Sequence, residues 1–411
     1  MSDKKKQLTV MGTVWDFWPV LKMFDKLYVS KYISFYEPWL KGEINREKII
    51  LFNEKFKNPI LWPFKILRRT YKILKIIRKF KPDIVITHHD DANISIIPVI
   101  ILTKIFRISD NIKFILWIRN NPIESYKEGL YSKIVLLAYN YFYKYADIII
   151  VQTITNKKII ESNFKSLKGK IEIIPNIYDI SKLQQLSNEP LEKEYENIFK
   201  DSFVFINIGR LTEQKGQWFL IRAFKKVAEK YPNVKVIILG DGELKDKLQE
   251  LINNLNLQNN VHLLGMQENP FKFLKHSNCF VFTSLWEGLP NTVIEALSLN
   301  LPVISTDCKT GPREILCPEL DIDAKINYPY YGKYGILTKP FPRAYIWESL
   351  DEKPLIEEEK MLAELMIKMI EDEELRKKYS NGLERAEDFD VEKIIKEWER
   401  VINEISLKVI K

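Results

Sequence analysis

SLWEGLPNTVIEALSLNLPVISTD, Ser284–Asp307, reads as a loop, a helix and a strand in succession. Asn291–Asn300 carries apolar residues at helical spacing, with Val293, Ile294 and Leu297 on one side. PVISTD, Pro302–Asp307, is a short apolar run that ends in polar residues, and CFVFTS, Cys279–Ser284, is another just before the loop. Two buried strands joined by one helix are a parallel crossover unit, because antiparallel strands need only a short turn. Glu287 lies in the loop and Glu295 in the first turns of the helix.

The same alternation runs outward in both directions. Upstream come DSFVFINIGR (Asp201–Arg210), a helix through Gln217–Pro232, VKVIILGDG (Val234–Gly242), a helix from Glu243, VHLLG (Val261–Gly265) and a short helix through Glu268–Ser277. Further upstream a second set begins at Lys81. Its strands are PDIVITHHD (Pro82–Asp90), NIKFILWIRNNP (Asn111–Pro122), ADIIIVQT (Ala146–Thr153) and GKIEIIPN (Gly169–Asn176), with helices between them. Unbroken Ile/Val runs, rather than alternating ones, predict strands buried on both faces of a doubly wound parallel sheet. Ser181–Asp201 is polar and reads as a linker holding a short helix. The reading is therefore an α/β protein with two Rossmann-like domains, residues 1–190 and 191–390. A final helix at about 391–411 packs back on the first domain. Ligands in such folds sit at the carboxyl ends of strands, in the cleft between domains.

Length and composition agree. A chain of 411 residues holds two or three domains, and 46% apolar with 29% charged residues excludes intrinsic disorder. Three cysteines exclude a disulfide scaffold, and with four histidines and no zinc-type spacing no metal site is expected. No signal peptide is apparent, and the longest apolar run, Ile94–Leu102, is about half the ~20 residues that span a bilayer. A cytoplasmic protein is expected. The net charge of +8 is uneven: residues 1–190 carry +14 and residues 191–411 carry −6. The first half therefore either faces an anionic partner or keeps isoleucine-rich surfaces soluble with lysine.

In FINIGRLTEQKGQWFLIRAF, Phe205–Phe224, a strand ends at Ile208, Gly209 turns the chain, and Arg210 and Lys215 follow before a helix. Two fixed cations after a strand suit a diphosphate, Arg as a fork and Lys as a point charge. It is not a Walker loop. The backbone N–H groups at Asn291–Val293 form a second anion site at a helix start. Ordered along the chain, IGRLTEQKG, VIILGDGEL, VHLLGMQEN, SLWEGLPNTVIEALSLNLPVISTD and TGPREIL resemble the nucleotide-binding domain of retaining glycosyltransferases of family 4 over about residues 203–340, including the Glu287–Glu295 pair.

That resemblance implies a GT-B architecture of two facing Rossmann-like domains, with a nucleotide-sugar as substrate and no bound cofactor or metal. It implies that Arg210 and Lys215, beside Gly209, hold the donor diphosphate and that Glu295 binds the ribose. Glu287 then holds the transferred sugar beside the backbone of Gly288, Leu289, Pro290, Asn291 and Thr292. Met266 and Gln267 meet the base. It implies transfer with retention, from a UDP-sugar in preference to a GDP-sugar, to a growing glycan such as a polyprenyl-linked saccharide. Family members often have a Gly-rich loop after the first strand; here only Gly12 stands there. They often have a histidine after an early strand, where this chain has Arg119, Asn120 and Asn121; His88 and His89 are the alternatives, and Asp90 and Asp91 beside them would raise their pKa if close. The fold also admits an epimerase, a phosphorylase or a non-catalytic sugar-binding scaffold.

PILWPFKILRRTYKILKIIRKFK, Pro59–Lys81, has eight basic residues and no acid. As a helix it shows a stripe through Leu67, Leu74, Ile77 and Phe80. With Trp18, Trp39 and Trp62 upstream it either rests on an anionic membrane, on the inner face, or packs into the core with a wet basic face. No recognition motif accompanies the charge, so nucleic acid is not an expected partner.

Overall fold

Runs of isoleucine and valine with no polar alternation stack side by side as parallel strands, and helices cover both faces. A computed structural model describes residues 6–11, 29–34, 49–52, 62–106, 111–343, 347 and 349–407. The chain divides into two compact units, 1–178 with 391–411, and 179–390.

The first unit is built on strands β1 (Lys6–Met11), β2 (Val29–Ser34), β3 (Ile49–Leu51), β4 (Ile84–His88), β5 (Lys113–Trp117), β6 (Ile148–Val151) and β7 (Ile171–Ile173). Their order is β3-β2-β1-β4-β5-β6-β7, all parallel. The order reverses between β1 and β4, so β4 ends at a switch point, where ligands of open α/β sheets bind. Helices Trp62–Phe80, Asp90–Ile105 and Leu130–Tyr141 contribute to the core on one side, which includes Ile73, Ile97 and Val135. On the other side the helix Val391–Leu407 lays Trp398, Val401, Ile402 and Ile405 among Ile86, Ile115, Trp117 and Ile150. The Trp117 and Trp398 rings meet edge-on at 4.9 Å, and Val391 N donates to Tyr178 O at 2.7 Å where the chain returns.

The second unit has β8 (Val204–Ile208), β9 (Lys235–Leu239), β10 (Val261–Gly265), β11 (Cys279–Phe282), β12 (Val303–Thr306), β13 (Tyr330–Tyr331) and β14 (Ile336–Thr338). The order is β10-β9-β8-β11-β12-β14-β13, parallel except for the β13–β14 pair, and the switch point lies between β8 and β11. The segment read as a linker is part of this unit. It forms helices Ile180–Ser187 and Lys193–Phe199, anchored by Asn269 Nδ2 to Leu186 O at 2.8 Å and by Tyr195 against Phe273 at 5.2 Å. The division thus falls at 178 rather than 190.

One residue of the expected stripe faces out. The Trp62–Phe80 helix buries Ile77 and packs Leu74 and Phe80 against the core, as expected, and also buries Arg69, Thr70 and Ile73, while Leu67 is 65% exposed. Arg69 is the reason: its guanidinium donates to Asp91 at 2.8 Å and Ser95 at 2.9 Å on the neighbouring helix, so its side of the helix must face inward. Among the described residues no helix is long and apolar enough to cross a membrane.

Trp398→Ala removes the largest side chain of the returning helix. It should destabilise the first unit by about 3–5 kcal/mol, read as an earlier denaturant transition of that unit in tryptophan fluorescence.

Candidate active site

In the second unit the loops after β8 and β11, the two strands flanking the switch point, are stitched together. Leu285 N donates to Gln214 O at 2.8 Å, Gln214 Nε2 to Trp286 O at 2.9 Å, and Thr283 Oγ1 to Lys215 O at 2.9 Å. Gly216 has φ +59° and approaches Thr283 O so closely that a Cβ would stand 2.5 Å from it, so only glycine fits this crossing. The result fixes Lys215 Nζ 2.6 Å from Glu287 Oε1. Both side chains are largely buried, at 16% and 9% exposure. Glu287 is held further by Thr310, whose hydroxyl donates to the Glu287 carbonyl. Gly209 lies against the Lys215 stem, while Arg210 is exposed and its carbonyl accepts from Gln217 at 3.0 Å.

Gly288, Leu289 and Pro290 are buried and lead into the helix Asn291–Ser298, which no side chain caps. Its first N–H groups, at Asn291 and Thr292, therefore lack intrahelical partners. Glu295 lies on this helix, half-buried. Met266 follows β10 and is 60% exposed; Gln267 turns back to donate to Leu264 O at 2.7 Å. The second unit thus gathers Arg210, Lys215, Glu287 and the start of the 291–298 helix around the ends of β8 and β11.

In the first unit His88 ends β4 and His89 follows with φ +70°, a conformation rare outside glycine and a sign of local strain. Their rings meet edge-on at 4.3 Å. Both are held neutral. Burial, with the Arg119 charge second, lowers the His89 pKa to about 3; burial, His89 and Arg119 lower that of His88. The adjacent acids do not raise them because both carboxylates turn elsewhere. Asp91 pairs with Arg69. Asp90 is buried and accepts from the Tyr126, Tyr139 and Tyr143 hydroxyls at 2.8, 2.9 and 3.2 Å. Asn121 is used as a cap, its Oδ1 accepting from Ile123 N and Glu124 N. Asn120 is exposed. Gly12 lies outside the described residues.

The chain matches the family Glycosyltransferase Family 4 over residues 36–182 and Glycosyl transferases group 1 over residues 188–321. It is 85% identical over 402 residues to an uncharacterised glycosyltransferase of Methanocaldococcus jannaschii, covering 98% of this chain and 99% of that one. This chain belongs to the family 4 glycosyltransferases. A Campylobacter jejuni N-acetylgalactosamine-N,N'-diacetylbacillosaminyl-diphospho-undecaprenol 4-alpha-N-acetylgalactosaminyltransferase is 31% identical over 256 residues, 62% of this chain and 60% of that one. The crystal structure of Anabaena HepE with UDP superposes with a TM-score of 0.72 at 18% identity over 97% of this chain and all of that one. The fold class is GT-B, and the protein is a transferase enzyme.

Sequence reading missed one part of the glycosyltransferase's second unit. Asp307, just past β12, accepts two hydrogen bonds from Arg313 and one from Tyr328 at 2.6 Å, and Arg313 Nη1 also holds the carbonyls of Ile322 and Ala324. This clasp shapes the Thr310–Gly311 turn, where Gly311 at φ +90° leaves room for Pro290. The signal was present in TDCKTGPREIL, as an acid six residues before an arginine. Among the described residues no three His, Cys, Asp or Glu side chains are arranged to hold a metal.

A pH titration of the imidazole NMR signals should find His89 still neutral at pH 5, with its midpoint near 3. Because its folded pKa lies below the ordinary 6.5, the unfolded chain binds the extra proton, so this group's contribution to stability falls as pH drops from 6.5 towards 3. A midpoint near 6.5 would mean that His89 is solvated.

Proposed function

We propose that this glycosyltransferase is a retaining enzyme that moves a sugar from a UDP-sugar to a polyprenyl-diphosphate-linked saccharide at an anionic membrane surface. The observation that carries the donor half is the 2.6 Å Lys215–Glu287 pair beside the uncapped start of the 291–298 helix. Arg210 and Lys215 bind the donor diphosphate. Glu295 accepts from the ribose hydroxyls, and Glu287 from hydroxyls of the transferred sugar. Met266 lies beside the base.

The chemistry follows from charge. Breaking the sugar–phosphate bond leaves an oxocarbenium-like carbon and a diphosphate of growing negative charge. Arg210, Lys215 and the N–H groups of Asn291 and Thr292 are in place before the bond breaks, and each such donor contributes about 3–4 kcal/mol at a favourable site. Arrival of the diphosphate draws the Lys215 ammonium towards it and frees Glu287 for the sugar. The departing oxygen takes the acceptor proton on the same face that the acceptor attacks, which preserves the anomeric configuration and calls for no protein nucleophile. His88 and His89 are neutral here, so in this reading they accept or donate single hydrogen bonds and do not supply a full charge.

HepE crystallised with UDP, and a relative named for α-transfer onto a diphospho-undecaprenol saccharide, support the carrier, the acceptor and retention. Membrane contact at the inner face is supported by the exposed side of the Trp62–Phe80 helix. Phe64, Leu67 and Tyr71 are each at least 65% exposed, one or two turns apart, with Arg68, Lys75, Arg78 and Lys79 exposed around them. Aromatic and aliphatic side chains ringed by cations suit an anionic interface.

Calorimetry with UDP, GDP, ADP and CMP should give selective UDP binding, lost by tenfold or more in Arg210→Ala and in Glu295→Ala, roughly the 1.4 kcal/mol or more expected of a charged hydrogen bond. Selective GDP binding, or unchanged UDP binding in both variants, overturns the donor assignment. Separately, Phe64→Ser/Leu67→Ser/Tyr71→Ser should release the protein from phosphatidylglycerol vesicles in a sedimentation assay while leaving UDP binding intact. Unchanged sedimentation rejects this helix as the membrane contact.

A further inference from the structure

Glu287 is fixed from both sides of its Cα. The carbonyl before it, that of Trp286, accepts from Gln214 Nε2 at 2.9 Å, and its own carbonyl accepts from the Thr310 hydroxyl. Gln214 comes from the loop after β8 and Thr310 from the loop after β12, the two strands that flank β11 in the sheet. With both flanking peptide planes held, the main chain sets the direction of the Glu287 Cα–Cβ bond. Thr310 is 4% exposed and stands at φ +67°. Seven described residues other than glycine lie in this left-handed region, and Thr310 alone among them is β-branched, the side-chain type that tolerates it least. The surrounding loop enforces the conformation. Asp307 and Arg313 close the segment between them, and Tyr328 donates to the same carboxylate. Gly311 at φ +90° seats the turn against Pro290 and the Gly288 carbonyl, and Lys309 bridges to Trp286 in parallel register.

We propose that Thr310 is a positioning residue for glycosyl transfer: held in a strained conformation by the Asp307–Arg313 clasp, it fixes the Glu287 main chain so that the carboxylate meets the hydroxyls of the transferred sugar. Strain of this kind persists only where the surroundings over-determine it, and it collects at functional sites. For the fold alone, glycine or asparagine serves this φ better; what threonine directs at Glu287 is a hydroxyl donor. The role rests on the sugar contact given to Glu287 above. A displacement of about 1 Å at a positioned group costs up to about a hundredfold in rate. Arg210 and Glu295, given to the diphosphate and the ribose, are carried by other segments. Thr310 therefore acts on turnover and not on nucleotide affinity.

The test separates turnover from nucleotide binding in the full chain. UDP release from UDP-N-acetylglucosamine, UDP-N-acetylgalactosamine, UDP-glucose and UDP-galactose, with water as acceptor, identifies the fastest donor, and kcat is then measured with that donor. Thr310→Val keeps the shape and removes the hydroxyl; Thr310→Gly removes the hydroxyl and the strain together, and guards against misfolding of the valine variant. Both should lower kcat by roughly tenfold to a hundredfold, with UDP affinity in calorimetry unchanged. Thr310→Ser, which restores the donor, should recover most of the lost turnover. Wild-type kcat in the valine or glycine variant, a joint loss of kcat and UDP affinity in both, or a serine variant as slow as the valine one overturns the proposal. Glu287→Gln is measured alongside. If it turns over like the wild type, the sugar contact of Glu287 fails and the role of Thr310 with it. If it is slow while the Thr310 variants are not, the role of Thr310 alone fails and the donor assignment stands.

Discussion

The Lys215–Glu287 pair is the constraint around which the second unit's loops are arranged. Two opposite charges at 2.6 Å in a largely buried setting lose much of their hydration, and that loss is offset only when geometry and extra hydrogen bonds are good. The surrounding main chain supplies that geometry. Gln214, Thr283 and Leu285 tie the two loops together, Gly216 permits their close crossing, and Thr310 fixes the Glu287 carbonyl. Removing either partner would strand a buried charge, whereas in the function proposed above a diphosphate at Arg210 gives Lys215 an anion of its own. On that reading the pair holds while the site is empty and separates when the diphosphate arrives.

How much of this the sequence disclosed depended on how local each signal was. The strands after Lys81 were legible because fully buried parallel strands are unbroken Ile/Val runs. The cluster of Arg210, Lys215 and Glu287 was legible because strand ends and glycine turns mark it. The outward placing of Leu67 on the Trp62–Phe80 helix was not, because it depends on Arg69 meeting Asp91 across 22 positions, and periodicity alone put Leu67 on one stripe with Leu74, Ile77 and Phe80. The neutrality of His88 and His89 was equally hidden. Adjacent acids suggested a raised pKa, but tyrosines from 36 to 53 positions away take up the Asp90 carboxylate. The helices at 180–199 looked like a linker because their burial comes from Phe273 and Asn269, far along the chain.

The two units share a plan but not a charge pattern. Each presents its polar side chains at the carboxyl edge, next to the point where strand order reverses. In the second unit the cations stand beside carboxylates and an uncapped helix start. In the first, Arg119 lies against His88 and Gln152, and Asp90 and Asp91 are taken up by a tyrosine cage and by Arg69.

The return of residues 391–407 to the first unit has a consequence for biogenesis. The second unit is an insertion within the first, so a ribosome completes residues 179–390 before it delivers the helix that covers Ile86, Ile115 and Trp117. Until Trp398 emerges, that face of the nascent sheet is bare, a greasy surface open to chaperones or to other unfinished chains. A stop codon at residue 391 would therefore leave the second unit whole and the first, although almost all of it precedes the truncation, without one wall of its core.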